Sequence, residues 1–476
     1  MVKKIGLLSY GVYLPRRRLE RSAIYASNKW FSPGLKSLAR GQKAVSNWDE
    51  DPITMAVEAG RRCLQSSNSE LLERLSLAST TLPFADRSNA GLVKEAMNLN
   101  DNLSVSDRFG SLRAGSTALL DALSGSGQQL CLAADRRRAK VASIDEMNQG
   151  DAAAAILVGE GELIATHLGG LSRTLDFVDH FRSTSASYDY SWEPRFAKDE
   201  GYQKILATAI KDCLAELGLK GEDIDHAAIA VTARGVAPKL AVMNDIPAEA
   251  LVDTMMTEVG DAGAAHATLM LATALQQAKP KQKILVASFG QGADVMVFET
   301  TKKLEQINKK QTEPESLSDS NYMRFLFHRG LLDIDKGMRA ELDEKQPGTS
   351  LARDRKTVLG LVGGKCTETG VVQFPKTELA FNGETRVAGQ QEDYFFAHRK
   401  AKVVSYTADV LTYSADPPAY YGMIDFDGGG RMVAEFADVE EGDVDVGTQM
   451  RMVFRIKSFD EQRGFRKYFW KATPIR

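Results

Sequence analysis

Two stretches of the chain carry side chains spaced for proton transfer. Asp261 and His266 lie five residues apart in Asp261-Ala-Gly-Ala-Ala-His266, a run of small residues with the character of a loop leading into a helix. An imidazole is the side chain that can act as acid or base near neutral pH, and glycine beside alanine allows a ligand to approach the backbone closely. The competing role for His266 is a helix N-terminal or interface histidine bonded to backbone. Tyr188, Asp189 and Tyr190 form the second stretch, where a phenol or a carboxylate could assist proton transfer, and where aromatic packing around a turn is the alternative. Metal chemistry has no support, because Cys63, Cys131, Cys213 and Cys366 are widely separated and make no paired ligand spacing. The glycine cluster Phe289-Gly-Gln-Gly-Ala293 lacks the dinucleotide fingerprint.

These residues need a scaffold, and the hydrophobic pattern predicts a layered α/β one. Ile5 to Tyr13 reads as a strand running into a turn at Pro15, and Pro52 to Leu64 as a helix that packs on a sheet. A strand Leu75 to Ala78, a helix Ser116 to Leu123 and strands Gln129 to Ala134 and Ala152 to Val158 follow. A second run of the same kind comprises helix Tyr202 to Leu217, strand His226 to Val231, helix Ala262 to Ala278, and strands Lys283 to Ser288 and Asp294 to Glu299. From Thr301 to about Ser320 the composition turns to Lys, Gln, Glu, Asn and Ser, which predicts an exposed linker or arm over 301–324. Residues 400 to 475 then show five short β-like runs separated by Pro417-Pro418, Gly428-Gly-Gly430 and Gly447, the pattern of a small OB-type barrel.

At 476 residues with 43% hydrophobic content, the chain can bury two or three cores without disulfide or metal support. Its 60 Lys and Arg against 63 Asp and Glu leave a formal net charge of -3, so nucleic acid is not an expected partner. No apolar stretch reaches the roughly 20 residues that span a bilayer, the start is too quickly interrupted by arginines for a signal peptide, and the unpaired cysteines suit a reducing compartment. The expectation is a cytoplasmic protein with no membrane partner.

Several motifs in order carry a resemblance. Ala133-Ala-Asp-Arg136 with Gly150-Asp-Ala-Ala153, Tyr190-Ser-Trp-Glu-Pro-Arg195 leading to Asp199-Glu-Gly-Tyr202, and Asp261-Ala-Gly-Ala-Ala-His266 with Ser288-Phe-Gly-Gln-Gly-Ala-Asp294 are similar to the hydroxymethylglutaryl-CoA synthase and ketoacyl synthase III branch of the thiolase superfamily. The resemblance covers residues 1–300. Residues 325–476, ending in Tyr468-Phe-Trp-Lys-Ala-Thr-Pro474, resemble the DUF35 family, in which a small zinc ribbon precedes an OB fold. The fold implied is a duplicated thiolase-like α/β layered domain followed by a small all-β domain.

The same resemblance implies a departure in chemistry. It places Leu112, in Asp107-Arg-Phe-Gly-Ser-Leu-Arg-Ala-Gly-Ser-Thr-Ala-Leu119, where the synthases carry the nucleophilic cysteine, Thr80 where they carry a glutamate, and no imidazole in Val231-Thr-Ala-Arg-Gly-Val-Ala-Pro238. A leucine cannot hold an acyl group, and Ser111 beside it would need an activating base. Some cysteine-free relatives that associate with a DUF35 protein split β-hydroxyacyl-CoA by retro-aldol cleavage, which needs a base and enolate stabilisation but no acyl-enzyme. The reading is an acyl-CoA-acting C-C bond enzyme with His266, Asp261 and Tyr188 as catalytic candidates. Its alternative is a non-catalytic acyl-CoA-binding or scaffolding partner of a thiolase.

Arg87, Arg113, Arg182, Arg195 and Lys198 are the candidates for the nucleotide phosphates of acyl-CoA, with a solvated surface as the competing role of each. In the tail, Cys366 survives with Thr369 at its partner position in Gly364-Lys-Cys-Thr-Glu-Thr-Gly370, so one sulfur remains of a four-ligand site and no zinc is expected. No prosthetic group is implied. A homodimer, and a thiolase as a possible second partner, are what the resemblance implies for assembly.

Overall fold

Alanine sets the spacing at the centre of the fold. The strand Ala152–Glu160 begins with four consecutive alanines, all buried, and these small side chains let the helix Pro52–Leu64 lie against it. That helix starts where the sequence places it, because Asp51 accepts the Ile53 and Thr54 amides at 3.0 and 3.1 Å, Thr54 Oγ1 accepts the Asp51 amide, and Pro52 takes the first helical position.

In this computed structural model, which describes residues 4–65, 67–310, 315–381 and 387–476, the alanine strand belongs to a sheet of nine. In chain order these are β1 (Ile5–Tyr13), β2 (Leu72–Ala78), β3 (Ser104–Arg108), β4 (Gln128–Asp135), β5 (Ala152–Glu160), β6 (Ala165–Thr174), β7 (His226–Ala230), β8 (Lys283–Phe289) and β9 (Gly292–Thr300). Their order across the sheet is β3, β2, β4, β5, β1, β6, β9, β8, β7. Strand β2 pairs in parallel with β3 and β4, then β4 with β5 and β5 with β1 are antiparallel. The other half repeats this scheme: β7 runs parallel to β8, while β8 with β9 and β9 with β6 are antiparallel. The expected duplication is therefore present in the topology, with β1 matching β6, β2 matching β7, β4 matching β8 and β5 matching β9.

The duplication fixes which helices are equivalent. Ala114–Ser124 precedes β4 and His266–Gln277 precedes β8, and the two pack against each other. Their apolar faces share one core with β1 and β5 through Leu119, Leu123, Met270, Leu271, Leu275, Leu7 and Ile156. Full burial of such side chains contributes roughly 1.5–3 kcal/mol each. Both helices thus begin at the same level of the sheet, at the ends of β4 and β8 where polar residues gather.

The chain divides into two compact units, one formed by residues 1–47, 51–91 and 100–331, the other by residues 48–50, 92–99 and 332–476. The expected linker over 301–324 is corrected by this division. Its described residues belong to the first unit: Leu304 and Ile307 of a short helix enter the core, and Leu317–Asp319 adds a parallel strand to Arg17–Glu20. The following helix Tyr322–His328 buries Tyr322, Phe325 and Leu326 in that unit as well, so the second begins at Leu332 rather than 325. A polar composition concealed one apolar residue per turn.

In the second unit, Val362–Cys366, Val372–Gln373 and Gln391–Phe395 form a three-stranded antiparallel sheet, followed by a five-stranded one. The latter comprises β10 (Lys400–Asp409), β11 (Ala419–Phe426), β12 (Arg431–Glu435), β13 (Gln449–Asp460) and β14 (Phe465–Pro474), ordered β12, β11, β10, β13, β14. A bridge between Phe436 and Ala472 brings the two edges together, as a small barrel requires. Trp470 and Tyr468 pack on Phe454 at 5.4 and 5.5 Å between ring centres. Arg455, wholly buried, pairs with Asp438 at 2.8 Å and Glu50 at 3.2 Å, and Lys471 pairs with Asp49 at 3.0 Å.

Candidate active site

The turn before helix Ala114–Ser124 passes from β3 through Gly110, whose φ of 98° suits glycine alone, to Ser111, Leu112 and Arg113. Ser111 Oγ donates to the Gly290 carbonyl at 2.7 Å. Arg113 turns inward: Nε donates to Gly290 O at 2.9 Å, one terminal nitrogen pairs with buried Asp294 at 2.7 Å, and the other donates to Thr174 Oγ1 at 2.7 Å. Ser116, Thr117 and Ser172 complete the shell of Asp294. Asp294 therefore holds the start of the helix to β9, and Arg113 is engaged inside the fold rather than presented to a phosphate.

No cysteine stands at this helix start. Cys63, Cys131 and Cys213 lie in the core, where burial pushes the first two thiols up to about 12 and the third to about 11, which makes them poor nucleophiles. Cys366 lies in the second unit, where hydrogen bonding with Thr369 holds its thiol below the ordinary value. Among the described residues no group of three or more His, Cys, Asp and Glu side chains converges as a metal site would require.

Facing the helix start is the segment 261–266. A Cβ on Gly115 would lie 2.3 Å from the Ala264 carbonyl, so glycine is what lets these two backbones meet. Asp135, at the end of β4, receives five hydrogen bonds: from the Ala264 and Thr80 amides and from the hydroxyls of Ser79, Thr80 and Thr81, at 2.7–3.0 Å. Thr80 is thereby fixed as a donor to protein. Asp261 pairs with Arg137 at 2.6 Å and accepts the Gly263 amide at 3.0 Å. Although burial works the other way, the Arg137 guanidinium holds the Asp261 carboxyl below its usual range, so it is an anion near neutrality. His266 is buried with Nδ1 accepting the Ala262 amide at 3.2 Å. Burial lowers its pKa and keeps it neutral, with the proton on Nε2, a buried atom that has no hydrogen-bond partner among the described residues.

The segment after β6 closes the circle. Arg182 donates to the Thr80 carbonyl and pairs with Asp189 at 3.3 Å. Tyr188, beside it, lies under Arg138 and Lys140, at 5.8 and 6.0 Å from its ring centre. His180 Nδ1 meets Asp179 at 3.0 Å. Burial lowers the His180 pKa, but the Asp179 carboxylate outweighs it and leaves the imidazole above its ordinary value. Tyr202, with the Asp179 and Asp261 charges acting on its buried phenol, packs on Phe289 at 5.0 Å, one residue before Gly290. Ser111, Gly290, Tyr202, Asp179, His180, Asp189, Arg182, Thr80, Asp135 and Ala264 thus follow one another in a chain of neighbours that leaves the helix start and returns to it, the rim of the candidate site.

Of the sequence candidates, Asp261 and His266 come together on this rim and Tyr188 stands on its outer segment. Arg182 is held between Asp189 and the Thr80 carbonyl, Arg87 stacks on Phe84 at 4.7 Å, and Arg195, largely exposed, reaches Asp199 at 3.5 Å; Lys198 lies just beyond it in the helical run Ala197–Leu206. The sequence reading missed Asp135, Arg137 and the Asp179–His180 pair. Adjacent Asp and His is a weak signal in a polar segment, and only the fold shows that the pair faces Arg137 and Asp189.

Comparisons with known proteins agree with the topology. The chain is 27% identical over 335 residues to a hydroxymethylglutaryl-CoA synthase of Thermococcus onnurineus, covering 68% of this chain and 94% of that protein. It is 28% identical over 350 residues to that of Caldivirga maquilingensis, covering 70% and 99%. Among solved structures, 3-oxoacyl-(acyl carrier protein) synthase III of Pseudomonas aeruginosa superposes with a TM-score of 0.56 at 19% identity, over 63% of this chain and 98% of that one. MvaS in complex with 3-hydroxy-3-methylglutaryl coenzyme A superposes with a TM-score of 0.55 at 17% identity, over 83% and 100%. Residues 396–455 match the family model of the ChsH2 C-terminal OB-fold domain. The chain is thus similar to hydroxymethylglutaryl-CoA synthases, and it has a thiolase-like α/β fold followed by a small all-β OB-fold domain.

Proposed function

We propose that this protein makes or breaks a C-C bond in an acyl-CoA without a covalent acyl-enzyme, by aldol chemistry on a β-hydroxyacyl thioester. The observation that carries the reading is that the rim holds a His-Asp pair and a neutral buried imidazole while the helix start holds Leu112 and no thiol. The synthase relatives and the CoA bound to their solved counterparts support an acyl-CoA ligand.

In the cleavage direction, His180 takes the β-hydroxyl proton, and Asp179 stabilises the imidazolium that forms. The Cα-Cβ electron pair moves onto the thioester as an enolate, the β-carbon becomes a carbonyl, and a proton returns to Cα. In this reading the donor to the enolate oxygen is the buried, unpartnered Nε2-H of the neutral His266, in the way a buried neutral acid serves an oxyanion hole. Asp261, held as an anion by Arg137, orients that loop. Arg182 ties the segment after β6 to Thr80.

The test is to incubate the full chain with a panel of β-hydroxyacyl-CoA thioesters and separate the products by liquid chromatography and mass spectrometry. A shortened acyl-CoA together with a carbonyl product, with no mass added to the protein, is the expected result. Tight CoA binding without turnover, in the presence or absence of a thiolase, would instead assign the protein a binding or scaffolding role. An acyl group recovered on Ser111 would overturn the non-covalent route.

A further inference from the structure

Arg137, whose guanidinium pairs with Asp261, sits in a stretch, residues 136–140, that belongs to no helix or strand. What holds its backbone comes from much later in the chain. Helix Tyr322–His328 is closed off at Gly330, whose φ of 63° lets the Gly330 and Leu331 amides turn back to the Phe327 and Leu326 carbonyls at 2.9 and 2.8 Å. The His328 carbonyl, which has no helical donor, accepts from Arg136 at 2.7 Å, and the Gly330 carbonyl accepts from Arg138. Between them Arg329 returns the exchange, donating to the Arg137 carbonyl at 3.3 Å. All three contacts join residues 192 apart, so Arg136-Arg137-Arg138 and His328-Arg329-Gly330 lie side by side in one register. The second terminal nitrogen of Arg329 pairs with Asp151, both side chains being buried, and the guanidinium stacks on Phe325 at 5.5 Å, the ring that also carries the Lys43 ammonium at 4.8 Å. Gly150, the neighbour of Asp151, donates to the Asp261 carbonyl at 2.9 Å. Arg329 therefore bridges the two backbones that carry the Arg137–Asp261 pair, that of Arg137 directly and that of Asp261 through residues 150–151.

We infer that Arg329 is a positioning residue of the candidate site, holding the Arg137 guanidinium on Asp261 and beside His180 and His266. The inference rests on the reading of that rim as the reacting site, and adds to it a residue that acts through another. A guanidinium supplies donors in fixed directions, here one for Asp151 and one for the Arg137 carbonyl, which an ammonium on a flexible stem does not serve together. At both imidazoles burial and then the Arg137 charge oppose protonation, against Asp179 and Asp189 at His180 and against Asp261 at His266. A displaced Arg137 therefore shows itself in the imidazoles, whether or not a substrate is present.

The experiment follows the histidine ring resonances of the full chain, carbon-labelled at Cε1, through a pH titration of the native protein and of Arg329→Lys. His180→Gln and His266→Gln assign the signals. Arg329→Lys keeps the charge opposite Asp151 and gives up the bond to the Arg137 carbonyl, so the His180 and His266 midpoints should both move upward. His167, on β6 and packed on Phe298 at 5.5 Å, should titrate as in the native chain. If that variant does not fold, Arg138→Gln, which releases the Gly330 carbonyl and leaves the Arg329–Asp151 pair intact, should move the same two midpoints in the same direction. Rim imidazoles that stay unmoved in a folded variant, or all three histidines shifting together as in a general loosening, would overturn the inference. Thioester cleavage is scored separately. A kcat lowered about tenfold or more in Arg329→Lys, with CoA affinity retained, accords with both the positioning role and the reaction. Midpoints that shift in a chain without turnover would keep Arg329 as the residue that positions Arg137 and remove the reaction instead.

Discussion

His180 and Lys43 show how two residues with no sequence motif acquire defined chemical states. Asp179 holds the His180 imidazole above its ordinary pKa, so a role as base requires the pH to exceed that raised value. The expected kcat/KM profile for thioester cleavage rises with pH through the His180 pKa. Asp179→Asn should move the midpoint down, and His180→Gln should lower kcat by roughly 10²–10⁴ with little change in CoA affinity by titration. Lys43 leads to a prediction about stability. Burial lowers its pKa to about 7 in the folded protein from an ordinary 10.5, so unfolding takes up a proton between these values and stability rises with pH across that range. The groups acting on it are Glu146, Asp151, Arg329 and Arg21. Urea midpoints measured at pH 7 and 9 should rise more steeply with pH for the native chain than for Lys43→Met. At this scale the sequence was informative where small residues framed Asp261 and His266. It was silent where a lone lysine depended on Glu146 and Arg329, more than a hundred residues away, or an Asp-His pair on Arg137 from another strand end.

Elements were legible in proportion to their apolar runs. Strands β4, β5, β8 and β9 are nearly all buried and were predicted within a residue or two, whereas β6 (Ala165–Thr174) escaped, because its alternating exposure and its Gly169-Gly170 pair read as loop. The helix expected from Tyr202 in fact begins earlier as a π-helical run, Ala197–Leu206, and becomes α-helical only at Ala207. Gly201 lies within that run, where a Cβ would meet the Phe177 and Phe289 rings at 2.9 Å, so ring packing beside the rim rather than local propensity shapes the segment. Two substitutions test the elements that position the site. Asp51→Ala removes both capping bonds of helix Pro52–Leu64 and should cost about 1 kcal/mol, up to about 2, in urea unfolding. Gly115→Ala should cost more, about 1–3 kcal/mol, and should depress turnover beyond its effect on stability, because it forces the helix start away from Ala264.

For the whole molecule, sequence patterning foresaw an α/β unit followed by a barrel, and it failed where the units exchange chain. Polar composition argued for a boundary near residue 301, but single buried residues such as Leu304, Ile307 and Tyr322 keep that stretch within the first unit. No pattern could have assigned residues 48–50 or 92–99 to the second unit. The link is electrostatic: Asp49 and Glu50 face Lys471 and Arg455, and Asn98 donates to the Gly360 carbonyl at 2.7 Å. Arg455→Ala should therefore cost about 3–5 kcal/mol, read as an early unfolding transition of the second unit by calorimetry, because Glu50 and Asp438 lose their buried cation. The same arrangement bears on how such a chain can be inherited. A recombination that replaced everything after residue 331 with another lineage's tail would import a barrel whose basic residues evolved opposite different acids. The tail and the first hundred residues must accordingly change together, and fission of the gene at that boundary would leave neither product with a complete set of counter-charges.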